Sequence, residues 1–160
     1  MSTPVQSADV WLSAEQQVAW RAWLEATHLL GDRLEHDLKQ SHDLSNAEYE
    51  VMVRLSESPD RRLRMSDLAS RTLASKSRLS HQISRMEASG LVRREECPED
   101  RRGAYAALTD QGWHVLVQAA PDHVASVRRW LVEALTSEEF IELGDLCSRV
   151  VQHLQAGADH

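Results

Sequence analysis

Hydrogen-bonding side chains crowd most densely between Ser75 and Arg85, in the run S-K-S-R-L-S-H-Q-I-S-R of this 160-residue chain. At helical spacing, Leu79, Ile83 and Met86 fall on one face. Arg78, His81 and Arg85 fall on the other, flanked by Ser77, Ser80, Gln82 and Ser84. Forked guanidinium groups and short hydroxyls match base edges and phosphate oxygens. A helix kept only for stability would carry more Glu and Ala there. Ser77, Arg78, Ser80, His81 and Arg85 are therefore expected in a major groove. Ser75, as N-cap, and Lys76 would hold phosphates at the helix N-terminus. Arg62 and Arg64 are further expected phosphate contacts. A polar loop, Pro98-Glu99-Asp100-Arg101-Arg102-Gly103, adds a second reader, because an arginine can enter a narrow, electronegative minor groove. Asp100, Arg101 and Arg102 are its candidates.

Charge supports this only locally. The formal net charge is −7, but residues 61–102 hold eleven basic against six acidic side chains. That island carries +5 and the remainder −12, which gives attraction to phosphate without a globally adhesive surface.

The elements that must position these groups are mostly helical, since Gly, Pro and aromatic residues are sparse. Three capping boxes (Ser13/Gln16, Ser45/Glu48 and Thr136/Glu139) predict helix starts. The expected helices are a long one over 14–40, one to about Glu57, one over 67–73 capped by Ser66, one over 76–88 capped by Ser75, a long one capped by Thr109 with a kink at Pro121, and a last one from Thr136. Arg61–Met65 reads as a short extended piece. Val92–Cys97 and Ala104–Leu108 read as a hairpin, and Gly90 with Leu91 predicts a Schellman stop. Two short helices, a tight turn and a hairpin make a winged helix-turn-helix, whose second helix enters the groove. The fold class is thus mainly α with a small β-hairpin wing.

Other functions find little purchase. No nucleophile motif, Gly-rich phosphate loop or zinc-protease signature occurs, so an enzyme is not expected. Cys97 and Cys147 have no metal-ligand spacing and read as unpaired thiols, with Cys97 the one near cationic Arg93 and Arg94. The eight histidines form no ligand set, so neither metal nor other cofactor is expected. No apolar run of about 20 residues and no secretory leader are seen, which predicts a cytoplasmic protein without membrane contact.

The chain resembles the MarR family (multiple antibiotic resistance regulators) over residues 14–155. The resemblance rests on Leu44-Ser45-x-x-Glu48-Tyr49, Met65-Ser66-Asp67-Leu68-Ala69, Ser75-Lys76-Ser77-Arg78-Leu79-Ser80, Gly90-Leu91-Val92-Arg93-Arg94 and, above all, Pro98-Glu99-Asp100-Arg101-Arg102-Gly103 with Leu108-Thr109-x-x-Gly112. It implies an obligate-type homodimer built from the N- and C-terminal helices (1–44 and 109–160). These would flank a DNA-binding module over 45–108, with its wing at 92–108, in a single domain. It further implies a transcriptional repressor of a near-palindromic operator, with half-sites about 10 base pairs apart. The family's pairing of the wing Asp with the second Arg would make Asp100 and Arg102 partly structural. The resemblance also implies a small aromatic or phenolic effector, in a pocket to which Trp20, Trp23, His28, Met52 and Arg54 would contribute. Two tryptophans at i and i+3 nonetheless read better as interface core than as pocket lining. The alternative is a winged-helix DNA organiser or protein-interaction module without an effector.

Overall fold

The computed structural model describes residues 11–98, 100 and 103–157. Helix α1 (Ala14–His42) opens on the Ser13/Gln16 box, with both reciprocal bonds made, at 2.9 and 3.1 Å. Helix α2 (Asn46–Ser56) opens likewise on Ser45 and Glu48. A 3-10 turn leads to strand β1 (Arg62–Arg64), then helices α3 (Met65–Arg71) and α4 (Lys76–Ala88). Strands β2 (Val92–Glu96) and β3 (Ala104–Leu108) follow, then α5 (Asp110–Trp130), a second 3-10 turn and α6 (Ser137–Gly157).

The hairpin is really part of a three-stranded antiparallel sheet. Strand β3 lies in the middle, with Leu63 and Arg94 both registered on Ala106. Pairing with β3 keeps the chain extended through Arg64, and α3 starts immediately after it. Ser66 is therefore not its cap. It sits exposed inside the first turn, and Arg64 occupies the N-cap position, where its side chain makes no capping hydrogen bond to the first-turn N–H groups. Helix α3 also ends before Leu73, which takes φ +52° in the turn into α4.

Helix α4 stops as the sequence predicts. Leu91 N–H donates to the Met86 carbonyl at 2.9 Å and Gly90 N–H to Glu87 at 3.0 Å, with Gly90 at φ +75°. Those two bonds and the left-handed glycine are the Schellman motif. Gly112 meets a different demand: a Cβ there would collide with the Leu91 carbonyl, so the close approach of α5 to the start of β2 requires glycine. Thr109 caps α5, accepting from Gly112 N–H at 3.0 Å and donating to the Gly90 carbonyl at 2.6 Å. The helix then runs unbroken through Pro121.

The core joins Leu38 of α1, Val51, Met52 and Leu55 of α2, Leu68, Leu79, Ile83, Met86, Val92, Ala106, and Leu116 and Ala119 of α5. Helix α6 contributes no buried residue. Its Ile141, Leu146, Val150, Val151 and Leu154 are exposed, as are Val18, Trp20, Trp23 and Leu24 of α1.

Candidate nucleic-acid interface

Helix α4 divides as its spacing requires. Leu79, Ile83 and Met86 are at most 1% exposed, while Ser75, Lys76, Ser77, Arg78, Ser80, His81, Ser84 and Arg85 are exposed. Ser75 Oγ caps the helix by accepting from Arg78 N–H at 3.3 Å. The side chains of Arg78, His81 and Arg85 make no hydrogen bond or ion pair among the described residues, leaving three cationic or donor groups on one open face. Gln82 departs from expectation. It is buried, at 6% exposure, because it sits beside Leu79, Ile83 and Met86 on the inward arc, and its Nε2 has no partner among the described residues.

The flanking arginines also sort differently. Arg62 turns into the sheet, where its Nη1 lies 3.2 Å from Glu95 Oε2 and its guanidinium 5.0 Å from the Tyr105 ring. Hydrogen bonds from Arg93, then Arg62, hold the Glu95 carboxyl below the usual range. A residue expected on phosphate is thus engaged by its own protein. Arg64, two residues on and therefore on the same face of β1, has its guanidinium 5.7 Å from the same Tyr105 ring. It lines a cleft of about 440 Å³ with Lys76, Ser80, Arg94, Asp100 and Gly103. Arg101 and Arg102, expected at the wing tip, lie outside the described residues.

A second cleft, of about 290 Å³, opens between α1, α2 and α5, lined by Leu34, Asn46, Tyr49, Glu50, Val53, Arg54 and His123, with Arg54 Nη2 3.7 Å from Glu50 Oε1. Of the five residues expected in an effector pocket, only Arg54 is here. Met52 is fully buried on the core side of α2, whereas Asn46, Tyr49 and Val53 share the other side at i, i+3 and i+7. Trp20, Trp23 and His28 stand exposed earlier along α1. Tyr49 and His123 rings meet at 4.3 Å, and burial pushes the Tyr49 hydroxyl's pKa up and the His123 imidazole's down. Three buried polar atoms here have no hydrogen-bond partner among the described residues: Asn46 Oδ1, Arg54 Nε and His123 Nδ1. Such atoms are costly to leave unsatisfied.

Just beyond this cleft α1 is braced to α5. Asp37 Oδ2 accepts from Ser126 Oγ at 2.7 Å and from Trp130 Nε1 at 2.8 Å. The Trp130 bond, then that of Ser126, lowers the Asp37 pKa. His42 Nε2 lies 2.8 Å from Asp122. Cys97 is buried and Cys147 half-buried.

The arrangement has known counterparts. A MarR family profile matches residues 42–103. AbsC, a MarR family transcriptional regulator from Streptomyces coelicolor, superposes with a TM-score of 0.86 at 49% identity, covering 91% of this chain and 98% of that one. Sco3205, a MarR family regulator from the same organism solved in complex with DNA, gives 0.88 at 45% identity and 91% coverage of both. The transcriptional regulator HosA of Escherichia coli O111:H- is 34% identical over 89 residues, which span 56% of this chain and 62% of HosA. This chain belongs to the MarR family of transcriptional regulators.

Within this MarR-family chain the profile stops near the wing, while the structural match extends over most of the terminal helices as well. One interface residue has no place in the sequence-based assignment. Arg94 follows Val92 by two residues, and strand alternation sends both to the same face of the sheet. Val92 is buried. A long cation on that face must find partners on whatever packs there, and it finds them on α4.

Proposed function

We propose that this MarR-family regulator is a cytoplasmic homodimer that represses transcription by binding a near-palindromic duplex operator, acting through binding and not catalysis. The observation that carries the reading is the open face of α4, where Arg78, His81 and Arg85 project, without partners among the described residues, from a helix whose other side is core. Arg78 can fork onto a guanine edge, Ser77 and Ser80 lie beside it, and Ser75 and Lys76 meet backbone phosphates. Arg64 meets a backbone phosphate on the β1 side. Asp100 shapes the wing, with Arg101 and Arg102 reaching the minor groove. The DNA held by Sco3205, at 45% identity, supports the same use here.

Residues 45–108 form the DNA-binding module, and 1–44 with 109–160 the dimerisation helices. Exposed apolar residues along α1 and α6 exceed what a lone soluble protomer tolerates, and a second copy would cover them. The cleft of Asn46, Tyr49, Arg54 and His123 is where a small aromatic or phenolic effector would sit. A ring would meet Tyr49, and its hydroxyl and carboxylate would meet the unpartnered acceptor and donors. Selection of bound duplexes from a random pool, at fixed salt, tests the main reading. A palindromic consensus is expected. Equal retention of all sequences would replace a regulator with a DNA organiser, and no retention would end both. Salicylate added to the selected complex should release DNA from the wild type and not from Arg54→Ala.

A further inference from the structure

Arg94 stands on β2, yet its guanidinium is fastened to α4. Nη2 directs its two protons at three acceptors, the Ser80 carbonyl at 2.8 Å, Ser84 Oγ at 3.1 Å and Ser80 Oγ at 3.2 Å, so that one proton is shared. Glu87, farther along the helix, holds the same residue: its Oε1 accepts the Arg94 backbone N–H at 2.9 Å, and Oε2 lies 4.0 Å from Nη1. The wing is thus clamped onto the very face that carries the expected base readers.

The clamp decides what the two serines can offer. A hydroxyl has one proton to donate and lone pairs to accept with. Ser84 Oγ donates to the Ser80 carbonyl at 3.0 Å and accepts from Arg94, so it has no donor left for DNA. Ser80 Oγ accepts from Arg94, and its own proton has no acceptor among the described residues. A cation bonded to a hydroxyl oxygen also polarises that proton outward.

We propose that Arg94 is a positioning residue of the interface: it fixes Ser80 as an outward hydrogen-bond donor, so that Ser80 selects a base-edge acceptor (guanine N7 or O6, adenine N7, thymine O4) against the cytosine amino group. Ser84 serves the clamp and not the DNA. This rests on the operator-binding reading above, and the test separates the two.

Wild type, Arg94→Lys, Ser80→Ala and the double variant are compared on the selected consensus and on each single-base variant of it, at two salt concentrations. Thermal melting confirms that each is folded. If wild type selects no consensus, the regulator reading itself fails. Given a consensus, Arg94→Lys keeps the charge but loses the planar fork. It should lower discrimination about tenfold at one base pair per half-site, with the salt slope unchanged. Ser80→Ala should lose the same base pair, and the double variant should lose nothing more. Unchanged discrimination in Arg94→Lys would overturn the proposal. So would an equal loss on every duplex with a shallower salt slope, the mark of a phosphate contact, or a loss at a base pair that Ser80→Ala leaves intact.

Discussion

Helices α4 and α6 carry similar amphipathic patterns and meet opposite fates. Four of the thirteen residues of α4 are buried, Leu79, Gln82, Ile83 and Met86, each against this chain's own core. None of the twenty-one residues of α6 is buried, although Ile141, Leu146, Val150, Val151 and Leu154 repeat along it. An apolar stripe states only that a helix wants a partner. Whether the partner lies in the same chain depends on where the connections deliver it. Helix α4 is held between α3 and a hairpin by short turns. Helix α6 follows α5, and among the described residues nothing packs on it closely enough to bury any of its side chains.

The comparison breaks first at α6. Truncation before Thr136 should yield a monomer in sedimentation analysis, with operator affinity reduced by about 10²–10⁴-fold as two linked modules become one. A truncated chain that still dimerises would show that α1 and α5 suffice. Next comes the core side. Ile83→Ala should lower unfolding free energy by about 2–5 kcal/mol in urea titration. Val150→Ala, on exposed α6, should leave a dilute protomer's stability nearly unchanged and weaken association instead. Equal effects of the two would erase the distinction.

Smaller effects sharpen the outer face of α4. Arg78→Ala should cost about 1–3 kcal/mol of discrimination at one base pair, read by competition between operator variants. Lys76→Ala should weaken all duplexes alike and reduce the salt slope by about one. The smallest effect belongs to the cleft between α1, α2 and α5. His123 has a pKa lowered by burial, below the unfolded value of about 6.5. As pH falls through 6.5 the unfolded chain takes up this proton first, so the stability present at higher pH is progressively lost. His123→Gln should flatten that part of the stability-against-pH curve relative to wild type, measured by chemical unfolding at stepped pH.

Much of this was legible in the residues. Helix starts at Ser13, Ser45, Ser75, Thr109 and Thr136 follow from short-range capping chemistry, which needs only neighbours three positions away. The Gly90 stop is equally local. Errors arose where a long-range contact overrode a local signal. Ser66 looks like a cap, but pairing of β1 with β3, some forty residues on, sets the start of α3. Gln82 looks like a groove residue, but the helix turns it toward the core. Met52 looks available for a ligand until α2 docks and buries it. Arg62 looks free for phosphate until the register of β3 between β1 and β2 brings Glu95 within reach.

What the sequence by itself determined, then, is the order of elements, the two faces of the helix from Lys76 to Ala88 and the family, because capping, periodicity and motif spacing are properties of neighbouring residues. Only the tertiary structure decided which polar groups remain available. Arg94 clamps two serines, Glu95 takes Arg62, and Asn46, Arg54 and His123 meet in one cleft although His123 lies 77 positions from Asn46. The physical reason is that a hydrogen bond made inside the protein removes a donor or acceptor from any ligand, and which bonds are made is set by how helices and strands distant in the chain come to lie against one another.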